Sequence, residues 1–156
     1  MRDFVVGIGN ALLRDEGVGC HVVEALDGLS LPDVEVMDAG TSPMLPDLVD
    51  AADRLIVVDA ADGGGEPGEI YRFGLEDVEL VEKPLLSVHD LGLLENLKLM
   101  KLLGQARDVV VIGVQPKETT WGLELSPELE SRMPRIVAVV LEELDKERNL
   151  KGEVRC

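Results

Sequence analysis

The side chains in this sequence with the types needed for chemistry at a metal or a polarised bond are the neighbours Asp15 and Glu16, then Asp38, then Asp59 with Asp62 close behind, and His89. Carboxylates supply hard oxygen ligands and an imidazole supplies a borderline nitrogen. A mixed set of that kind suits zinc, nickel, cobalt or non-haem iron rather than calcium or magnesium. Three such ligands leave coordination positions open for a substrate. The same residues also have a plainer reading. Asp15 and Glu16 are favourable charges in the first turn of a helix. Asp59 and Asp62 sit beside glycines as loop residues do, and His89 stands where a helix opens. Residue type and spacing leave both readings standing, because the candidate ligands are far apart in sequence and no short motif ties them together.

Other chemistries fit less well. Gly7-Ile8-Gly9, between an apolar run and a helical pattern, is placed as a phosphate-binding turn would be. The dinucleotide fingerprint needs a third glycine, and Leu12 occupies that position. The Gly-Lys-Ser/Thr of a phosphate loop is absent, and Asp15 and Glu16 would repel a phosphate. There is no Gly-x-Ser-x-Gly elbow and no His-Glu-x-x-His pair. Cys20 and His21 are adjacent on a helical pattern and point apart, so they do not make a nucleophile and base. Cys20 reads as a small packed residue, His21 as a solvent-facing helical residue and Trp121 as a packing anchor in its loop.

The elements that position these residues follow from the apolar pattern. Short β-branched runs predict strands over 4–8, 34–37, 55–58 and 109–114, and the alternation over 69–73 predicts a half-exposed edge strand. Helices are expected after Asp15, which is suited to cap the first, and over 43–49. Another opens over 85–90, with Ser87 and Asp90 as a capping box and Gly104 as its stop. A last helix starts at Ser126-Pro127 and runs towards Arg148, with Pro134 as a kink point. Strands alternating with helices predict a three-layer α/β/α fold with a mostly parallel sheet. In such folds ligands bind beyond the carboxyl ends of the strands, where Glu16, Asp38, Asp59 and His89 would all lie.

With 156 residues the chain fits one domain, expected over 1–150, with 151–156 as a frayed tail. A net charge of −16 disfavours nucleic acid and anionic lipid as partners. No run is long enough to span a membrane, no signal-peptide pattern opens the chain, and the two cysteines lie far apart. A reduced cytoplasm is the expected setting.

Five stretches carry a family resemblance. They are Val6-Gly7-Ile8-Gly9-Asn10 with Asp15-Glu16-Gly17-Val18-Gly19, Asp38-Ala39-Gly40-Thr41, Val57-Val58-Asp59-Ala60, Ser87-Val88-His89-Asp90-Leu91-Gly92-Leu93, and Gly113-Val114-Gln115-Pro116 with Gly122-Leu123-Glu124-Leu125-Ser126-Pro127. In that order they resemble the nickel–iron hydrogenase maturation endopeptidases over nearly the whole chain. Ala39 stands where the family usually has glycine and Val88 where proline is frequent. The resemblance implies a five-stranded mixed sheet with one antiparallel strand, for which 69–73 is the candidate. It implies a metal site of Glu16, Asp59 and His89, choosing Asp59 over Asp62, with Asp38 as a second-rank catalytic or substrate contact and Asp15 as a helix cap. It implies removal of a C-terminal extension from a hydrogenase large-subunit precursor after nickel insertion, by a protein expected to be a monomer. The nickel would be the substrate's own, bound transiently, with a resident zinc at the same residues as the competing arrangement. A non-catalytic nickel-sensing or chaperone protein would use the same ligands. A receiver-like signalling domain would need a lysine where Gln115 follows Val114.

Overall fold

The computed structural model of the chain describes residues 2–41, 52–74 and 91–154. Along the chain run β1 (Asp3–Ile8), a 3-10 turn (Arg14–Gly17), α1 (Val18–Asp27), β2 (Val34–Gly40), β3 (Ala52–Ala60), β4 (Ile70–Gly74), α2 (Leu91–Leu102), β5 (Ala106–Val114) and α3 (Pro127–Val154). The sheet order is β2-β1-β3-β5-β4. All neighbours are parallel except β4, which pairs antiparallel with β5 at the edge, where the alternating stretch was expected. The fold is the mixed five-stranded α/β sheet that the sequence predicts.

The inner strands are apolar throughout because both faces of the sheet are covered. Phe4, Val6, Leu55, Val57, Val109 and Val111 face one core, against Leu97 and Met100 of α2. The alternate residues Val5, Ile56, Val58, Val110 and Ile112 face the other, against Val18, Val22 and Leu26 of α1 and Leu129, Ile136, Val140 and Leu144 of α3. The helices therefore form two outer layers around the sheet, and every second residue of a central strand feeds a different core.

Gly104 ends α2 as expected. Its φ is +76°, Gln105 N donates to Met100 O at 2.9 Å, and Gly104 N donates to Lys101 O at 3.2 Å, the paired bonds of a Schellman stop. At the start of α3, Ser126 Oγ accepts from Leu129 N at 3.5 Å. α3 continues through the exposed Pro134 and past Arg148 to Val154, so most of the expected frayed tail is helical. The Glu-, Lys- and Arg-rich sequence there has high helix propensity and no proline to stop it. The helices expected over 43–49 and at 85–90, with the Ser87–Asp90 capping box, lie outside the described residues.

β1 has β2 on one side and β3 on the other, so the chain's winding reverses between β1 and β3. At such a switch point the connections leave in opposite directions and open a crevice at the carboxyl ends of the strands.

Candidate active site

Ile8 ends β1, and Gly9 follows with a φ of +131°, a conformation open to glycine and strained for other residues. A Cβ at Gly9 would overlap the carbonyl oxygen of Glu16 and lie 3.3 Å from Asp59 Oδ1. Gly9 is thus the narrow spacer between the Glu16 turn and the Asp59 carboxylate. Gly7 and Gly19 bring α1 down onto the sheet. A Cβ on Gly7 would strike Gly19 O, and one on Gly19 would strike Val58 O and come within 2.8 Å of Ile8 O. The close helix-to-strand packing that dinucleotide folds assign to their third glycine falls here to Gly19 rather than to position 12.

Asp59 closes β3, is 4% exposed, and accepts a bond from Ala60 N at 2.8 Å through Oδ1. Glu16 is half-buried in the 3-10 turn. Asp38 stands exposed at the end of β2, where the pairing with β1 shifts register between Gly7 and Ile8 and Ala39 becomes the extra residue. Asp38 Oδ1 accepts from Gly40 N at 2.8 Å and from Cys20 Sγ at 3.1 Å. Burial, the bond to Asp38 and the charges of Asp38, Glu24 and Asp59 push the Cys20 thiol up to about 12. Cys20 is therefore a protonated donor to Asp38, the packed residue its position suggested.

The structure thus brings the Glu16 turn, Asp38 and Asp59 to the end of β1, with Gly9 between the turn and Asp59. His89 lies outside the described residues. Among the described residues no three His, Cys, Asp or Glu side chains form a group able to hold a metal ion.

Asp62 is occupied elsewhere. It accepts from Gln115 Nε2 at 3.0 Å and Gly64 N at 3.0 Å, which lowers its pKa, the Gln115 bond contributing most. Gln115 is the hub of that loop: Oε1 accepts from Gly63 N at 2.8 Å, Tyr71 Oη at 2.7 Å and Gly65 N at 3.3 Å. Its only sequence signal is a polar side chain directly after the apolar run of β5.

Three expectations need correction. Asp15 caps no helix: neither the 3-10 turn nor α1 has a side-chain cap. Its fully buried carboxylate reaches across the molecule and accepts from Lys117 N, Glu118 N, Ser126 N and Ser126 Oγ, each at 2.8 Å. Burial alone would raise its pKa, but the backbone N–H groups of Ser126, Glu118 and Lys117 outweigh it and hold the carboxyl below its usual value. Trp121 anchors no packing; it is 75% exposed, because its loop lies over the Arg14 backbone and turns the indole outward. His21 is half-buried rather than solvent-facing.

The family model for hydrogenase maturation protease matches residues 20–143. The chain belongs to the hydrogenase maturation protease family. It is 38% identical over 149 residues to a putative hydrogenase maturation protease of Methanocaldococcus jannaschii, covering 91% of this chain and 96% of that one. The hydrogenase 2 maturation protease of Escherichia coli is 34% identical, over 90% of this chain and 89% of its own. The solved structure of the hydrogenase-maturating endopeptidase HybD from Escherichia coli superposes with a TM-score of 0.83 at 31% identity, covering 94% of each chain. This member of the hydrogenase maturation proteases is an enzyme, a peptidase that acts in hydrogenase maturation by endopeptidase processing. Among its described residues no helix is long and apolar enough to cross a membrane.

Proposed function

We propose that this peptidase removes the C-terminal extension of a nickel–iron hydrogenase large-subunit precursor after nickel insertion, and that it recognises the nickel the precursor carries. The observation that carries this reading is the meeting of the Glu16 turn and the Asp59 carboxylate across Gly9, in the crevice at the switch point of the sheet. The Glu16 turn and the Asp59 carboxylate are the two acidic elements there, and the neighbouring Cys20 thiol is held protonated, so it is not the nucleophile.

In this reading Glu16, Asp59 and His89 close on the nickel of the substrate. His89 enters through its match to the family's histidine motif. A metal seated beside the scissile bond polarises the carbonyl or the attacking water, so a protease without its own nucleophile suffices. The enzyme's part is to fix position: Gly9 sets the spacing, and the four bonds to Asp15 hold the turn that presents Glu16. Asp38, exposed at the same edge, is placed to touch substrate or take a proton. The enzyme works as a cytoplasmic monomer.

The test is incubation with the precursor, nickel-loaded and nickel-free, followed by mass measurement of the product. Only the loaded precursor should lose its extension; equal cleavage of both removes nickel recognition from the reading. Metal content of the purified enzyme, measured before any precursor is added, should show no stoichiometric zinc. A stoichiometric zinc would make the metal resident.

A further inference from the structure

Leu12, Trp121 and Leu123 are 50%, 75% and 68% exposed, a large apolar surface to leave in water. They are brought together by backbone pairing between two loops distant in sequence. Gly122 N donates to Leu12 O at 2.8 Å, and Arg14 N donates to Gly122 O at 3.0 Å. The residue between the tryptophan and the leucine is thus tied directly to the loop that carries Leu12. The arrangement is rigid at its base, where the buried Asp15 carboxylate holds Lys117, Glu118 and Ser126.

Leu12 stands four residues before Glu16, in the loop that leads into the Arg14–Gly17 turn. Its cations are already committed. Arg14 pairs with Glu118 at 3.2 Å and Lys117 with Glu128, while the exposed Glu124 adds a carboxylate directly after Leu123. The chain as a whole carries −16. An apolar centre within an acidic rim is complementary to an apolar segment flanked by basic residues. A rigid ridge also avoids the cost of ordering loops on binding, and exposed tryptophan is a common binding anchor.

We propose that Leu12, Trp121 and Leu123 form the docking ridge for the precursor, seating an apolar segment of it that has basic flanks. The proposal rests on the reading that the precursor is the substrate.

Steady-state processing of nickel-loaded precursor tests it, comparing wild type with Trp121→Ala, Leu123→Ala and a control, Leu102→Ala, at an exposed leucine on α2. Because both ridge side chains are exposed, the variants should fold as wild type, checked by thermal unfolding. Trp121→Ala should raise KM about tenfold with kcat within about twofold, and Leu102→Ala should leave both unchanged. Raising ionic strength should raise the wild-type KM, and insensitivity to salt overturns the basic flanks. If wild type processes the precursor and Trp121→Ala keeps the wild-type KM, the ridge is overturned while the substrate reading stands. If wild type processes no precursor, the substrate reading fails and the ridge with it. If wild type sediments as a dimer that Trp121→Ala dissociates, with KM unchanged, the ridge is a self-association surface and the proposal is wrong.

Discussion

Gly9 decides how closely the Glu16 turn approaches the Asp59 carboxylate, and the chemistry proposed for the site depends on those two side chains. Glu16→Gln and Asp59→Asn keep the shape of each side chain and remove its charge. Each should lower kcat/KM for nickel-loaded precursor about 100-fold or more, since a neutral amide is a far weaker metal ligand. Circular dichroism should show both variants folded; a folded Asp59→Asn that processes at the wild-type rate would remove Asp59 from the site. Cys20 gives the opposite expectation. Its thiol is buried, donates to Asp38 and is pushed up to about 12, so it is not available as a nucleophile at neutral pH. Cys20→Ala should retain processing within about threefold and lose roughly 1 kcal/mol of stability for the missing contacts, read from urea unfolding. Abolished processing in a folded Cys20→Ala would contradict this.

At the scale of elements, one carboxylate joins the 3-10 turn to the loop before α3. Asp15→Ala would remove the acceptor of three backbone N–H groups, that of Ser126 buried and those of Lys117 and Glu118 partly so, and should cost about 3 kcal/mol. Amide exchange reads the effect locally: Lys117, Glu118 and Ser126 should lose protection while the β1 and β3 amides keep theirs. Unchanged protection at those three would mean that the latch is not what holds the loop. No pattern in the sequence reveals this contact, because Asp15 and its partners lie 102 to 111 residues apart. A carboxylate before a helix looks locally like a cap, which is what the sequence implies for Asp15. The exposure of Trp121 was hidden for the same reason, since a lone aromatic in a loop carries no periodicity. The elements were far more legible. Both central cores write themselves into β1, β3 and β5 as unbroken apolar runs, β4 shows its edge position by alternation, and Gly104 marks the stop of α2 by its backbone freedom. Of the candidate site, Glu16, Asp38 and Asp59 were legible as acidic strand ends, whereas the structural use of Asp62 by Gln115 depended on a loop geometry that spacing does not encode.

At the scale of the whole molecule, α3 is fastened to the sheet by charge as well as by its apolar face. Glu143 is 1% exposed and Arg54 is 4% exposed. Arg54 on β3 donates to the carboxylate and the backbone carbonyl of Glu143, and its Nε lies 3.3 Å from Asp108. Arg72 on β4 donates to both carboxylate oxygens of Glu143 at 2.7 Å, and Lys146 approaches at 3.5 Å. The bonds from Arg72, with the charges of Arg54, Arg72 and Lys146, overcome burial and lower the Glu143 carboxyl to about 2 from an ordinary 4.5. A carboxylate with a depressed folded-state pKa contributes stability that is complete above its unfolded value and is lost as pH falls through the folded one. Wild-type stability should therefore decline on acidification from about pH 4.5 towards pH 2. Asp15, also lowered, adds to the same trend, so the informative quantity is the difference between wild type and Glu143→Gln. At neutral pH that variant leaves the buried Arg54 without the Glu143 carboxylate, and it should lose on the order of 3 kcal/mol. Urea unfolding over the acid range should then show the two stabilities converging as pH falls, because wild type surrenders by protonation what the variant has already lost. Parallel curves would place the stabilising charge somewhere other than Glu143.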